Sequence, residues 1–149
     1  MPKIDVTDEA VIDSPPLVIF KAILNETAGV THWWMPHVES RLRGETPIDR
    51  EGAIFDVTIH SRGTPRWTAK ITKIVEGKLI ELEEEGDIVG TGTWTFKPTD
   101  GKTKIRFRWN VRPKRLLFVL VSLFINIGQR HSEVMQKGFK ALNNYLSHK

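Results

Sequence analysis

The chain has 149 residues, 40% of them hydrophobic and 27% charged, and it contains no cysteine. This composition excludes a disordered chain and a disulfide scaffold, and the missing cysteines remove thiol catalysis, zinc ribbons and iron–sulfur ligation. The net charge of +4 is the balance of an acidic part, residues 1–96 with 10 basic and 16 acidic side chains, and a basic remainder with 12 and 2.

One domain is expected over residues 1–149, because a chain this long buries roughly two-thirds of its extended surface. Met1-Pro2-Lys3 leads directly into alternating polar and apolar residues. No secretory leader is read there, and a cytoplasmic location is the expectation. Lys3–Asp13 alternates as a strand, with Ile4, Val6, Ala10 and Ile12 on one face. Ser14-Pro15-Pro16 reads as a helix start with Ser14 as cap. A short helix over roughly Pro16–Leu24 is predicted, then a second around Glu26–Trp33. The second stops before Met35-Pro36, because a residue preceding proline avoids helical backbone.

From about His37 to Arg112 the signals are those of strands. Ala53, Phe55, Val57 and Ile59 alternate with polar or less buried types. Arg66–Glu76 is rich in β-branched residues, Glu76-Gly77-Lys78 is a turn, and Leu79–Glu85 is a strand with an acidic tip. Gly90–Phe96 and Lys102–Val111 flank Asp100-Gly101, the strongest hairpin signal in the chain. Strands joined by short turns predict an antiparallel meander. The tail from Pro113 reads as helical. His131, Val134, Met135, Gly138, Leu142 and Tyr145 form one stripe at helical spacing, and Gly128–Ser147 as a helix is about 30 Å long.

Four stretches in this order carry a resemblance: Val11–Phe20 at the first strand–helix junction, Trp33-Trp34-Met35-Pro36, Thr93–Phe96 through Gly101–Thr103, and the final amphipathic helix. The chain resembles the START-like superfamily, which includes Bet v 1-type and polyketide cyclase/dehydrase-like proteins (SRPBCC). The resemblance implies an α+β helix-grip fold. In it a curved antiparallel sheet of about seven strands wraps around a long C-terminal helix, with an apolar cavity between them. It implies binding or transport of a hydrophobic small molecule or lipid, and no cofactor is expected.

Phe55, Val57, Trp94, Phe96, Phe107 and Trp109 lie at alternate strand positions, and Trp67 begins another strand. They supply core and cavity wall together with Met135. Trp33 and Trp34 are adjacent, so one is expected at the cavity mouth and not in the core. His131 on the apolar stripe is the weak catalytic candidate. The structural alternative, an imidazole satisfied by one protein partner, is the expectation. A His131 open to the cavity beside a carboxylate favours an enzyme instead. Gly138 on the same stripe permits close approach of helix to sheet, or leaves space for a ligand.

His32, His37 and Glu39 lack a metal-ligand spacing, so no metal is expected. Asp56 and His60 share the polar face of one strand, which points to a solvated surface. Lys104, Arg106, Arg108 and Arg112 make a basic stripe. Asp5, Glu9 and Asp13 on the first strand are expected to pair with it, which accounts for the stripe without nucleic acid. Leu116–Ile127, nearly all apolar behind Arg112-Pro113-Lys114-Arg115, is too short to span a bilayer. It is read as core, a homodimer contact or a membrane-surface docking element, in that order. Three functions are therefore weighed: a hydrophobic-ligand binder, a polyketide cyclase/aromatase/dehydrase-like enzyme using the same cavity, and a protein-interaction module with a filled core.

Overall fold

The computed structural model describes residues 3–61, 63–114 and 126–148. The docking or dimer segment Leu116–Ile127 lies outside these residues except for Asn126 and Ile127. Strand β1 (Ile4–Ile12) is followed by helix α1 (Pro16–Ala28). Strands β2 (Val38–Arg43), β3 (Ile54–Ile59), β4 (Arg66–Val75), β5 (Leu79–Gly86), β6 (Ile88–Thr99) and β7 (Lys102–Pro113) come next, then helix α2 (Ile127–Ser147). All pairings are antiparallel, in the order β1-β7-β6-β5-β4-β3-β2, so the first and last strands are neighbours. This is the expected helix-grip α+β architecture.

Period-two alternation decides the inner face. On β3, Phe55, Val57 and Ile59 are buried, and on β7, Ile105, Phe107, Trp109 and Val111 are buried. The residues between them lie on the outer face. The β6–β7 turn places Asp100 at φ 48° and Gly101 at φ 78°, the pair of left-handed residues a two-residue hairpin requires. Helix α2 packs its stripe inward through Met135, Gly138, Phe139 and Leu142, and lies against β1.

The first helical region differs from expectation. One helix, α1, replaces the two predicted, and Trp33–His37 form turns. Gly29 (φ 83°) ends it in the left-handed conformation, its N–H donating to the carbonyls of Asn25 and Glu26. A Cβ at Gly29 would lie 2.9 Å from the Ser40 carbonyl oxygen, so glycine is required on two counts. The carboxylate of Glu26 then accepts hydrogen bonds from Thr31 Oγ1 (2.8 Å), Trp33 N (3.0 Å) and Trp34 N (2.8 Å). These backbone donors are held by a side chain, so the chain turns instead of continuing as a second helix. Ser14 is not the cap either. Pro15 occupies that position without a side-chain bond, and the Ser14 carbonyl instead accepts from Thr103 Oγ1 at 2.7 Å.

The outer face carries the paired charges. Arg108 meets Asp5 through two nitrogens (3.0 and 2.8 Å), and Arg106 and Lys104 both meet Glu9 (3.0 and 3.4 Å). Asp56 pairs with Arg43 and Thr68, and His60 with Glu39. The first and last strands thus compensate each other's charge across their shared register. Among the described residues no three His, Cys, Asp or Glu side chains could hold a metal ion, and no helix is long and apolar enough to cross a membrane.

Candidate functional site

Between the sheet and α2 lies an inner cavity of about 80 Å³. Of the residues singled out in the sequence, Trp33, Trp34, Phe55, Val57, Trp67, Trp94, Phe107, Trp109, His131 and Met135 all line it. Phe96 does not. It stacks on Trp94 at 6.4 Å and meets Phe20 of α1 edge-on at 5.5 Å, one layer away from the cavity.

Both tryptophans of the Trp33-Trp34 pair, each named for the cavity from the sequence, reach it. Their indoles stack in parallel, 5.7 Å apart, and Trp33 also stacks on Tyr145 of α2 at 6.5 Å. Trp34 donates its Nε1–H to the Val134 carbonyl at 3.2 Å. Its indole occupies the space above Gly138, so that a methyl group there would overlap the ring. Gly138 therefore admits a side chain of the loop, neither the sheet nor a ligand. The pair is a plug between the loop and the last helix.

Three acidic residues are buried: Asp8, Glu26 and Glu84. Glu26 is committed to the loop. Glu84 sits on the cavity wall, 3% exposed, and Trp109 donates its Nε1–H to Oε2 at 3.1 Å. The other oxygen, Oε1, lies over Gly92, where a Cβ would come within 2.6 Å. The neighbouring strand thus leaves out a side chain where the carboxyl group needs room. Burial in apolar surroundings pushes Glu84 up to about 7, against the weaker opposing pull of the Trp109 hydrogen bond.

His131 also lines the cavity, its side chain 8% exposed. Its ring stacks on the Trp109 indole at 3.8 Å and 7°. Contrary to the expected single protein partner, Nδ1 has no hydrogen-bond partner among the described residues; Asp8 Oδ2 is 3.9 Å away, beyond bonding range, and is itself bonded by Ser132 Oγ at 3.0 Å. Burial holds the imidazole down at about 3, so it is neutral at physiological pH. Trp109 therefore joins two of the polar groups of the cavity, bonded to Glu84 through its edge and covered by His131 on its face.

Neither Asp8 nor Glu84 was singled out in the sequence, although a signal for each was present. Asp8 shares the inward parity of Ile4, Val6, Ala10 and Ile12, and Glu84 that of Ile80 and Leu82. A carboxylate at an apolar parity is the informative exception. A second, outer chamber of about 220 Å³ opens beside the first and shares Ile59, Trp67, Trp109, His131 and Val134 with it. Its rim carries His37, His60, Arg130, Glu133 and Lys137.

The profile of the family described as polyketide cyclase/dehydrase and lipid transport matches residues 3–146. No curated protein matches the sequence significantly. Among solved structures, TTHA0849 from Thermus thermophilus is similar, with a TM-score of 0.73 at 17% identity over 96% of this chain and 95% of that one. Ara h 8.0201 is similar with a TM-score of 0.70 at 18% identity, covering 99% of this chain and 100% of the other. Protein Ms6760 from Mycobacterium smegmatis gives 0.67 at 15% identity, over 96% and 90%. At these identities the likeness is one of fold.

Proposed function

The chain belongs to the polyketide cyclase/dehydrase and lipid-transport family, and from that premise we propose that it binds a small hydrophobic molecule between its sheet and its last helix. The observation that carries this reading is the inner cavity itself. Seven aromatic side chains (Trp33, Trp34, Phe55, Trp67, Trp94, Phe107 and Trp109) surround space that is not filled by protein. Burying apolar ligand surface there contributes about 25 cal/mol per Å², before the costs of association. A protein-interaction module with a filled core fits such a cavity poorly.

Size limits the ligand. An apolar cavity of about 150 Å³ accepts benzene, and the inner space here is about 80 Å³. A ring the size of benzene, a phenethyl group, a long acyl chain or a polycyclic ring system enters only if the shared partition of Trp67, Trp109, His131 and Val134 moves and the outer chamber is used as well. The reading is tested by tryptophan fluorescence and calorimetry against a panel of neutral apolar compounds graded by volume. Chains of a few carbons are expected to bind most readily, and affinity is expected to fall as volume grows toward and beyond that of a single ring. Met135→Trp should fill the cavity and abolish binding, at a cost of about 1–3 kcal/mol through overpacking. A panel that leaves fluorescence and heat unchanged sinks the reading.

A second reading, an enzyme of the cyclase/dehydrase kind, is favoured by one observation: Glu84 and His131 both line the cavity and both contact Trp109. Proton transfer needs two such groups at one substrate atom. Glu84, which titrates near neutrality, is the group suited to give and take a proton. His131, held at about 3, is a poor base. Binding stands first because the inner space is too small to fold a reactive polyketide chain.

A further inference from the structure

Resting on the binding reading above, we propose that the ligand is a hydrophobic amine, held as its ammonium ion with the nitrogen on Glu84 Oε1 and the hydrocarbon against the tryptophan faces. Three features of the site lead there. First, the titratable side chains lining the inner cavity are Glu26, Glu84 and His131, and no lysine or arginine is among them. Glu26 is occupied by three loop donors, and His131 is neutral. The ionisable group available inside is therefore acidic, and among the described residues no lysine or arginine lines the cavity with it.

Second, Glu84 has one oxygen committed and one open. Trp109 bonds Oε2, while Oε1 takes no hydrogen bond from any described residue and lies in the room left by Gly92. A carboxylate oxygen is an acceptor only, so what completes it must be a donor. Third, the walls are rich in aromatic side chains, and an aromatic ring whose face is open attracts a cation through its quadrupole, most strongly when it is desolvated. A neutral alcohol satisfies the second feature alone. An anion satisfies none, and is repelled by Glu84.

Binding is then linked to one proton. When the carboxyl group is protonated and the amine arrives as ammonium, the carboxyl proton leaves to solvent and the ammonium–carboxylate pair remains. No other step is involved. The titratable groups that line the cavity with Glu84 are His131 of α2 and Glu26 of α1, and Asp8 of β1 lies 3.9 Å from His131. Of these, Glu84 is the one pushed into the neutral range, to about 7.

The test uses the full chain with three shape-matched probes: phenethylamine, phenethyl alcohol and phenylacetate. Calorimetry at pH 6 in buffers of different ionisation enthalpy should show close to one proton released per phenethylamine bound and none for the alcohol. Phenethylamine affinity should rise about thirtyfold from pH 5.5 to pH 8, as one proton linked to a group at about 7 requires, and exceed that of the alcohol at pH 8 by about tenfold or more, the scale of one desolvated charge interaction. Glu84→Gln should erase both the preference for the amine over the alcohol and the pH dependence of amine binding. The proton count on the unaltered protein decides the matter even if that variant folds poorly. Alcohol binding equal to amine binding, or amine binding without proton release, overturns the amine assignment and leaves the hydrophobic-pocket reading standing. Binding by neither probe, with the neutral panel also silent, overturns both.

Discussion

At the scale of single residues, Glu84 and His131 set opposite slopes on the pH dependence of stability. Glu84 is raised in the folded state from 4.5 to about 7. Between those values the folded protein holds a proton that the unfolded chain has lost, so Glu84's contribution is fully present below pH 4.5 and is lost as pH rises through 7. The full loss is on the order of 3 kcal/mol for a buried group. His131 is lowered from 6.5 to about 3. Its contribution is intact above pH 6.5 and is lost as pH falls toward 3, because the unfolded chain then binds the extra proton. The two slopes oppose each other between pH 4.5 and 6.5 and act alone outside it. Urea unfolding from pH 4 to pH 8.5 should show Glu84→Gln gaining stability relative to the parent above pH 6, and His131→Gln losing less than the parent in acid. A Glu84→Gln profile parallel to that of the parent from pH 5 to pH 8 would show that Glu84 keeps its solution behaviour when buried.

At the scale of elements, the junction between the Trp33-Trp34 loop and α2 depends on a missing side chain. Gly138→Ala puts a methyl group into the Trp34 indole, and the indole cannot withdraw without breaking its bond to the Val134 carbonyl. The expected loss is about 1–3 kcal/mol, typical of overpacking, measured by chemical denaturation. The double change Gly138→Ala with Trp34→Ala should cost less than the two single changes added, since both act on one contact. The strands around this junction were legible in the sequence because side-chain direction alternates strictly. Leu79–Glu85 and Lys102–Val111 could be placed to within a few residues, as could the Asp100-Gly101 turn. The helix-to-loop passage was not legible, because its outcome rests on a distant oxygen of Ser40 at Gly29 and on Glu26 collecting three donors. Neither leaves a periodic trace. Most of the aromatic wall was readable for the same reason as the strands. The acidic wall was not, because Leu79–Glu85 looks like a charged tip until parity alone is used to turn Glu84 inward.

At the scale of the whole molecule, the sheet order brings the chain's beginning to its end, and this fixes an order of assembly. The β6–β7 hairpin closes across two residues with both turn positions already left-handed. Seating β1 on β7 must instead hold together residues far apart in the chain, beginning with Ser14 and Thr103 at its near end, 89 positions apart. The length-dependent part of that closure costs about 4 kcal/mol, and the cost falls before Arg106, Arg108 and the inner-face contacts repay it. Hairpin formation therefore belongs early and β1 docking late. Ile105 on β7 and Ile12 on β1 are equally buried, at 0% and 2% exposure, so truncation to valine should cost each about 1 kcal/mol at equilibrium. The kinetics should separate them. Ile105→Val is expected to slow folding, with most of its cost appearing in the folding limb of the chevron. Ile12→Val should leave folding nearly unchanged and speed unfolding. If Ile12→Val slows folding as much as Ile105→Val does, the two ends of the chain are already joined in the transition state, and the sheet closes before its hairpins are complete.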